Sequence, residues 1–274
     1  MALGGIRGFV TDMVQHRELL VSLASKEFKI RYKVAALGFL WTVLNPLLLM
    51  LVLSFVLKKI GLRWEESVDK DLIPVWLLCA LIPWNFMAHS LSRSPGVLVD
   101  NAGLIQKVYF PREIIPLARV MANSLNFLIA LVVLLCFLLA FGVKPSIWWI
   151  IGAPLIIIGE ILFVVGMCLA VSSLNVFYRD VAFVVEVLLL VWWWGTPIFY
   201  PHDQVIQPEV SELVYRIYMA NPMAATVVSM RQIFLERRFP DASLVLTLFA
   251  AAFLSLIIGT VIFRRRRGVL ADFV

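Results

Sequence analysis

Six long apolar runs constrain this chain more than any other feature of its sequence. Each run is close to the length of about 20 residues that a helix needs to cross the hydrocarbon core of a bilayer. The chain is 62% hydrophobic and only 15% charged, an apolar excess that a core of this size cannot bury. The sequence therefore predicts an all-α, polytopic membrane protein with six transmembrane helices and no separate soluble domain. The runs cover residues 37–57, 73–92, 120–143, 147–169, 181–198 and 242–263.

The positions of the basic residues predict the orientation. An even number of spans puts both termini on one side, and most of the 24 Lys and Arg residues flank that side, including Arg264 to Arg267 directly after the last run. Because basic flanks are retained in the cytoplasm, we expect both termini there. The chain is then one transmembrane domain over 1–274: a cytoplasmic or interfacial segment 1–36, a six-span domain 37–263 and a cytoplasmic tail 264–274. The net charge of +6 is explained by these basic flanks of the apolar runs. We therefore expect the lipid bilayer, and no nucleic acid, to be the partner of the basic residues.

Residues 20–33 suit an amphipathic helix on the membrane surface. Glu27 and Arg31 interrupt its apolar side, and a plain basic flank explains the segment equally well. At 100° per residue, the apolar side holds Leu20, Val21, Leu23, Ala24 and Phe28, and the polar side holds Ser22, Ser25, Lys26, Lys29 and Lys33.

Two segments between the runs are longer than simple turns. On the inner side, residues 93–119 carry proline and glycine breakers around an apolar stretch at 97–110, which predicts one short helix protruding into the cytoplasm. On the outer side, stretches 213–220 and 223–234 are too short to span and are separated by Asn221-Pro222. We interpret this pair as re-entrant helices, which are tolerated where protein or water satisfies their backbone.

The sequence holds no residues for catalysis, a cofactor or a metal in any recognisable arrangement. No Gly-Lys dipeptide occurs, so the phosphate-binding loop of an ATPase is absent, and the three His and three Cys residues lie apart. We therefore expect a protein that is not an enzyme. Asp69-Lys70-Asp71 has the carboxylate spacing of metal-dependent glycosyltransferases. A solvated acidic loop is the favoured interpretation, and a membrane-embedded glycosyltransferase is the alternative from another class.

Glu160 and Glu186 fall inside apolar runs, where an ionisable group is expensive and usually faces protein or water. A proton-coupled mechanism is one interpretation. The favoured one is that each carboxylate lies near a helix end or pairs with a neighbouring helix.

Aromatic residues are concentrated in and beside the runs. The three consecutive Trp residues 192–194 point 100° apart, so they cannot all face the same surroundings. Aromatic faces stack on the C–H faces of sugar rings, so an aromatic path suits a sliding glycan. For any single Trp, the interfacial belt or packing is the competing interpretation. The hypothetical path residues are Trp41, Trp84, Phe86, Trp192, Trp193, Trp194, Phe199 and Tyr200.

Several short blocks follow one another in order along nearly the whole chain. Each block is weak alone, and together they resemble the ABC-2 type permeases that export O-antigen, capsule and teichoic acid. The blocks are Lys29-Ile30-Arg31-Tyr32-Lys33, Leu37-Gly38-Phe39-Leu40-Trp41, Leu44-Asn45-Pro46-Leu47, Pro83-Trp84-Asn85-Phe86, Ser90-Leu91-Ser92-Arg93, Lys107-Val108-Tyr109-Phe110-Pro111-Arg112-Glu113, Leu174-Asn175-Val176-Phe177-Tyr178-Arg179-Asp180, Thr196-Pro197-Ile198-Phe199-Tyr200 and Asn221-Pro222-Met223.

The resemblance implies a homodimer bound to two copies of a separate nucleotide-binding subunit, which holds ATP and Mg. An undecaprenyl-linked surface polysaccharide such as the O-antigen of lipopolysaccharide would cross the bacterial inner membrane through the dimer, with a teichoic acid polymer as the alternative cargo. Residues 201–234 would form outer gate helices. The resemblance assigns contact with the ATPase subunit to Asn101, Leu104, Lys107, Tyr109, Phe110, Arg112 and Glu113, and the inner mouth of the path to Asn175, Phe177, Tyr178, Arg179 and Asp180.

Overall fold

A computed structural model describes residues 11–32, 40–60, 69–202 and 212–266. Within these ranges the regular structure is entirely helical, which confirms the all-α prediction. The ends of several predicted segments, at 1–10, 33–39, 203–211 and 267–274, lie outside the described residues. The helices are α1 (Arg17–Tyr32), α2 (Leu40–Ile60), α3 (Ile73–Ser92), α4 (Val97–Asp100), α5 (Ala102–Lys107), α6 (Ile114–Ala140), α7 (Ile147–Phe177), α8 (Val181–Trp194), α9 (Glu212–Met219), α10 (Pro222–Phe234) and α11 (Ala242–Arg266).

Four of the described helices are long and apolar enough to cross a membrane, namely α3, α6, α7 and α11. The six-run prediction is confirmed to that extent. Helix α2 is a further apolar helix of 21 residues. Helix α8 has 14 residues and a length of about 21 Å, shorter than the hydrocarbon core of about 30 Å.

Three helix ends in the described residues differ from the predicted ones by four residues or more, and proline chemistry explains two of them. Helix α6 begins at Ile114 instead of residue 120, because Pro116 falls in its first turn, where the missing N–H costs no hydrogen bond. Helix α8 ends at Trp194 instead of residue 198, because Pro197 disfavours a helical Thr196. Helix α7 continues past residue 169 to Phe177.

Helix α7 lies at the centre of the bundle and contacts α3, α6, α10 and α11. Its crossing with α11 is so close that backbone touches backbone at Gly166 and Gly259. A Cβ atom at Gly259 would collide with the carbonyl of Gly166, and one at Gly166 would collide with the backbone of Ser255. Small residues at such a crossing let two apolar helices approach closely, which is a common way for helices to associate in lipid.

Helix α1 packs along α6. Ala24 is buried, and Leu20 and Leu23 are partly buried against the core. Glu27, which interrupts the apolar side in the sequence, is explained by its ion pair with Arg119 of α6, at 2.9 Å between Arg119 Nη2 and Glu27 Oε2. Part of the predicted apolar face thus lies on protein, and its position on a membrane surface stays a prediction.

The prediction of one short helix at 97–110 is wrong, since the chain forms two. The break between α4 and α5 falls at Asn101, whose side-chain amide donates to the carbonyl of Val97 at 2.9 Å. An Asn side chain that bonds to a nearby carbonyl competes with the helical ladder. We call residues 93–113 the connecting segment. It lies at the basic end of the bundle, where α11 finishes in Arg264, Arg265 and Arg266.

Candidate functional site

Two regions concentrate the polar contacts of the bundle. The first lies opposite the basic end, where α8 stops and residues 195–198 run without helix; we call these residues the α8 break. Thr196, Pro197 and Ile198 are buried there, so their backbone groups need partners from within the protein. The backbone N of Thr196 and that of Ile198 donate to nearby carbonyls, of Trp193 and Thr196. Two side chains from distant parts of the sequence also contact the break: Arg231 donates to the carbonyl of Ile198, and Asn221 donates to the carbonyl of Gly195.

Asn221 joins the α8 break to the start of α10. Its Nδ2 donates to the carbonyl of Gly195 at 2.9 Å, and its Oδ1 accepts from Trp192 Nε1 at 2.8 Å. The same Oδ1 accepts from the backbone N of Met223 at 2.9 Å, which is the usual role of an Asn at a helix N-cap. The Asn221 side chain therefore binds the end of α8 and also caps the start of α10.

Arg231 carries a buried positive charge beside the same break. Its residue is 4% exposed, and its Nη2 donates to the carbonyl of Ile198 at 2.8 Å. The guanidinium carbon lies 3.2 Å from the ring centroid of Trp76 on α3, within the range of a cation–π contact. Arg231 thus ties α10, α3 and the α8 break together.

Tyr200 and Tyr218 extend these contacts to α9. Tyr218 Oη donates to Tyr200 Oη at 3.0 Å, and Tyr200 Oη donates to the carbonyl of Trp194 at 2.8 Å. The two tyrosine hydroxyls thus connect α9 to the end of α8.

The structure separates the predicted path residues into buried and exposed groups. Trp84 packs edge-to-face on Trp193 with ring centroids 5.4 Å apart, and the buried Phe86 stacks on Phe127 at 4.8 Å. These contacts are packing within the chain. Trp41 and Trp194 are 49% and 62% exposed, so these two remain open to a lipid, a partner or a passing substrate. Phe199 and Tyr200 are partly buried at the α8 break.

A cavity of about 510 Å³ lies beside α8, lined by Val185, Leu188 and Trp192 of α8, Val171 of α7 and Ile217 of α9, among others. Its lining is almost entirely apolar. Tyr218 and Asn221 are the other polar side chains of the lining besides Trp192. Most hydroxyls of a sugar buried here would therefore lack hydrogen-bond partners, at a cost of roughly 2–7 kcal/mol for each unpaired group. The cavity suits hydrocarbon and does not suit a glycan.

The two intramembrane carboxylates differ from each other. Glu160 lies near the middle of α7 and is completely buried. Neither of its oxygen atoms has a hydrogen-bond partner in the described ranges, so the interpretation that it lies near a helix end or pairs with a neighbouring helix is wrong for Glu160. Glu186 lies in the second turn of α8 and is exposed, which confirms its position near a helix end.

The second polar region is the connecting segment at the basic end. Lys107 and Tyr109 are exposed, whereas Phe110 and Glu113 are buried. Residues Asn101, Leu104 and Arg112 are intermediate. Of the predicted contact residues, Lys107 and Tyr109 therefore face outward, while Phe110 and Glu113 hold the segment from inside.

The predicted inner-mouth residues also lie at the basic end. Asn175 is buried in the last turn of α7, and Arg179 and Asp180 are exposed. The guanidinium of Arg266 lies over the rings of Phe177 and Tyr178, at 4.9 and 5.7 Å from their centroids. These contacts hold the end of α11 against the end of α7.

Asp69 and Asp71 form a turn ahead of α3. Asp69 Oδ1 accepts a hydrogen bond from the backbone N of Asp71 at 3.0 Å, and both residues are exposed. This carboxylate therefore caps its own turn, which supports the interpretation of a solvated loop. The described residues contain no group of three or more His, Cys, Asp or Glu side chains that could hold a metal ion.

Sequence reasoning missed the importance of Arg119, Arg231 and Arg264, which counted only as orientation charges. A signal was present for Arg231, since it is the single charged residue in the apolar stretch 223–234. An isolated charge in such a stretch demands a partner. The partners, however, lie in other helices and could not be read from the sequence.

Comparison with known proteins identifies the protein family to which the chain belongs. The family model described as ABC-2 type transporter matches residues 18–235, so the chain belongs to the ABC-2 type transporter family and is a transport subunit of a membrane system. The resemblance drawn from the motifs is confirmed at this level.

Individual relatives narrow the comparison. The chain is 31% identical to an O-antigen export system permease protein RfbA of Klebsiella pneumoniae over 93% of this chain and 94% of that protein. A second Klebsiella pneumoniae protein of the same name is 35% identical over 80% of this chain and 81% of its own length. The protein of that name from Myxococcus xanthus is 30% identical over 96% of this chain and 98% of its own length.

Proposed function

We propose that this chain is the permease subunit of an ATP-binding cassette exporter that moves a lipid-linked O-antigen out across the bacterial inner membrane. The similarity to three O-antigen export permeases, over 80% or more of this chain in each case, is the observation that carries this proposal. ATP and Mg belong to a separate nucleotide-binding subunit, in two copies. No observation favours a teichoic acid polymer or glycosyltransferase activity.

The proposed topology has six spans, with α2 and α8 added to the four long helices. Helix α8 is short, and the buried α8 break continues its path through the bilayer. Asn221 and Arg231 donate to the carbonyls of Gly195 and Ile198 at this break, since irregular backbone at membrane depth needs partners from within the protein. Arg264, Arg265 and Arg266 at the end of α11 favour cytoplasmic termini. In this arrangement α9 and α10 are the re-entrant outer gate helices.

Depletion of the protein in its native cell tests the proposed substrate. We expect lipid-linked O-antigen to accumulate on the cytoplasmic side while its synthesis continues, and plasmid-borne wild type to restore export. Purified alone, the chain should hydrolyse no ATP, and it should co-purify with its nucleotide-binding subunit. Accumulation of a polyol-phosphate polymer would point to teichoic acid instead. Normal export after Asp69→Asn with Asp71→Asn is expected, and loss of polymer synthesis in this variant would support the glycosyltransferase.

The homodimer part of the proposal rests on the open face of α8. Val185 alone among its residues is buried. Phe183, Val187, Leu190 and Trp194 are exposed and recur at intervals of four, three and four residues, the spacing of a helix–helix seam. Glu186 lies next to this stripe, and a carboxylate facing lipid is costly. The exposed face of α8 would therefore lie against a second copy of the chain or along a water-filled path between two copies.

Cysteine crosslinking checks the α8 seam. In a Cys136→Ala background, Leu190→Cys should give a crosslinked dimer with a short bifunctional maleimide in native membranes. Phe253→Cys on α11 is the matched control, because Phe253 is equally exposed and apolar but lies on another helix. Equal crosslinking of both variants, or of the control alone, would contradict the proposed seam.

Docking of the nucleotide-binding subunit is proposed on the connecting segment. Tyr109 is fully exposed, and exposed aromatic residues are typical anchors of protein interfaces. Lys107 beside it is exposed as well. The segment is thus held from inside by Phe110 and presents an aromatic side chain and a positive charge outward.

Tyr109→Ala tests this docking surface. We expect co-purification of the nucleotide-binding subunit to fall about tenfold or more, since loss of an interface anchor costs roughly 2 kcal/mol, while the amount of permease stays unchanged. Tyr178→Ala is a matched control, because Tyr178 is an exposed Tyr at the same end of the bundle outside the connecting segment. Unchanged co-purification with Tyr109→Ala would place the docking surface elsewhere.

A further inference from the structure

Two arginine residues at the basic end make the same kind of bridge. Each pairs with one acidic residue of the N-terminal segment, residues 11–32, and with one acidic residue of the connecting segment. Arg119 of α6 lies 2.9 Å from Glu27 and 3.7 Å from Asp100. Arg264 of α11 lies 3.2 Å from Asp12 and 3.6 Å from Glu113.

The Arg119 bridge is partly buried and has well-formed hydrogen bonds. Its Nε donates to Glu27 Oε2 at 3.1 Å, and its Nη1 donates to the carbonyl of Arg93 at 2.9 Å. The side chains of Arg119 and Glu27 are 15% and 20% exposed. Salt screens a partly buried pair of this kind much less than an exposed pair, so the contact fixes where the N-terminal segment lies.

The Arg264 bridge is looser on one side. Arg264 Nη2 donates to Asp12 Oδ2 at 3.2 Å, whereas its closest approach to Glu113 is 3.6 Å and forms no hydrogen bond. The Glu113 side chain is 1% exposed. A buried carboxylate needs its cation, because an isolated buried charge costs several kcal/mol. Movement of Glu113 therefore moves Arg264 with it.

We propose that Arg119 and Arg264 are positioning residues that make the N-terminal segment and the connecting segment move as one body and pass that movement to α6 and α11. The inference rests on the proposed function, in which the connecting segment receives the motion of a nucleotide-binding subunit. Helices α4 and α5 have only 4 and 6 residues, so the connecting segment has little rigidity of its own. The two arginine residues connect it to long helices at both of its ends.

The two arginine bridges join the connecting segment to two different parts of the bundle. Arg119 lies in the second turn of α6, against which α1 packs along its length. Arg264 lies in the last turn of α11, which crosses α7 backbone to backbone through Gly166 and Gly259. A displacement of the connecting segment therefore reaches the N-terminal segment and the central helix pair together.

We call this transfer of movement through Arg119 and Arg264 the relay. A double-mutant comparison in the complete exporter tests it. Arg119→Gln and Glu27→Gln are each expected to lower polymer export about tenfold, a usual size for coupling between two sites. ATP hydrolysis by the complex and co-purification of the nucleotide-binding subunit should stay within about twofold of wild type. The double variant should be no worse than either single variant, because both remove the same contact. Arg264→Gln should uncouple export from hydrolysis in the same way.

Matched controls distinguish a loss of the relay from a loss of protein stability. Arg238→Gln removes an arginine that pairs with Glu236 and Asp241 at 2.6 Å at the opposite end of the bundle, and it should export normally. Asp100→Asn changes a side chain that is 60% exposed, so it should fold normally and give a smaller uncoupling of the same kind. Export and hydrolysis that fall together in Arg119→Gln, or stay normal in both Arg119→Gln and Asp100→Asn, would overturn the relay. Failure of the wild-type complex to export O-antigen would instead contradict the proposed function.

Discussion

Arg231→Met should lower the free energy of unfolding by about 3 kcal/mol, the largest effect expected from any single polar side chain in the bundle. The substitution leaves the buried carbonyl of Ile198 without its donor and removes the guanidinium from the ring of Trp76. The α8 break then loses one of its two side-chain supports. Thermal unfolding of the detergent-solubilised protein, read from the loss of the folded peak in size-exclusion chromatography, measures the change.

Two further variants make the Arg231 result specific. Arg216→Met is the same substitution at an exposed position on α9, where we expect an effect within about 0.5 kcal/mol. Arg231→Lys keeps a charge but loses the planar group that stacks on Trp76, so its stability should lie between wild type and Arg231→Met. An unfolding temperature for Arg231→Met equal to that of Arg216→Met would show that the buried guanidinium does not hold the break.

Gly259→Ala should prevent α7 and α11 from packing, with a loss of about 4 kcal/mol or more. The added Cβ meets the carbonyl of Gly166, which is backbone and cannot rotate away. The two helices must separate, and the small-residue crossing that holds the centre of the bundle is lost. Little protein of the folded, monodisperse form should be recovered from membranes.

Two other glycines provide graded controls for this crossing. Gly159→Ala meets only side-chain atoms, of Leu248 at 2.9 Å and of Phe249 at 3.3 Å. Side chains can change their rotamers, so a smaller loss is expected. Gly103→Ala in α5 has no atom within 4 Å of the added Cβ and should be neutral or stabilising by about 0.5 kcal/mol, because Ala is the better helix former. Equal yields for Gly259→Ala and Gly103→Ala would show that the close crossing does not limit folding.

Asn221 and Arg231 illustrate why only part of the site could be predicted. The Asn221-Pro222 pair predicts a helix start, because Asn caps and Pro fits the first turn, and α10 begins there. That the same Asn221 also binds Gly195 and Trp192 depends on the tertiary placement of the end of α8 beside the start of α10. Sequence spacing holds no information on that contact.

Glu27 gives a second example. On a helical projection it interrupts the apolar side of α1, which argues against an amphipathic helix. In the structure the packed face of α1 meets Arg119 at that point, so the interruption is an ion pair across a helix–helix contact. The sequence left an amphipathic helix and a plain basic flank equally open, because a helical projection carries no information on a charged partner in a neighbouring helix.

The sequence alone determined the helical class, the apolar segments, the breaks at proline and asparagine and the resemblance to a transporter family, because these depend on local chemistry and on the length a span requires. Tertiary structure decided which charges lie inside the protein and which aromatic residues pack within the protomer. It also decided where helices can touch at glycine. These features depend on contacts between residues far apart in the chain, such as Arg231 with Trp76 and Arg264 with Asp12, and no local pattern specifies them.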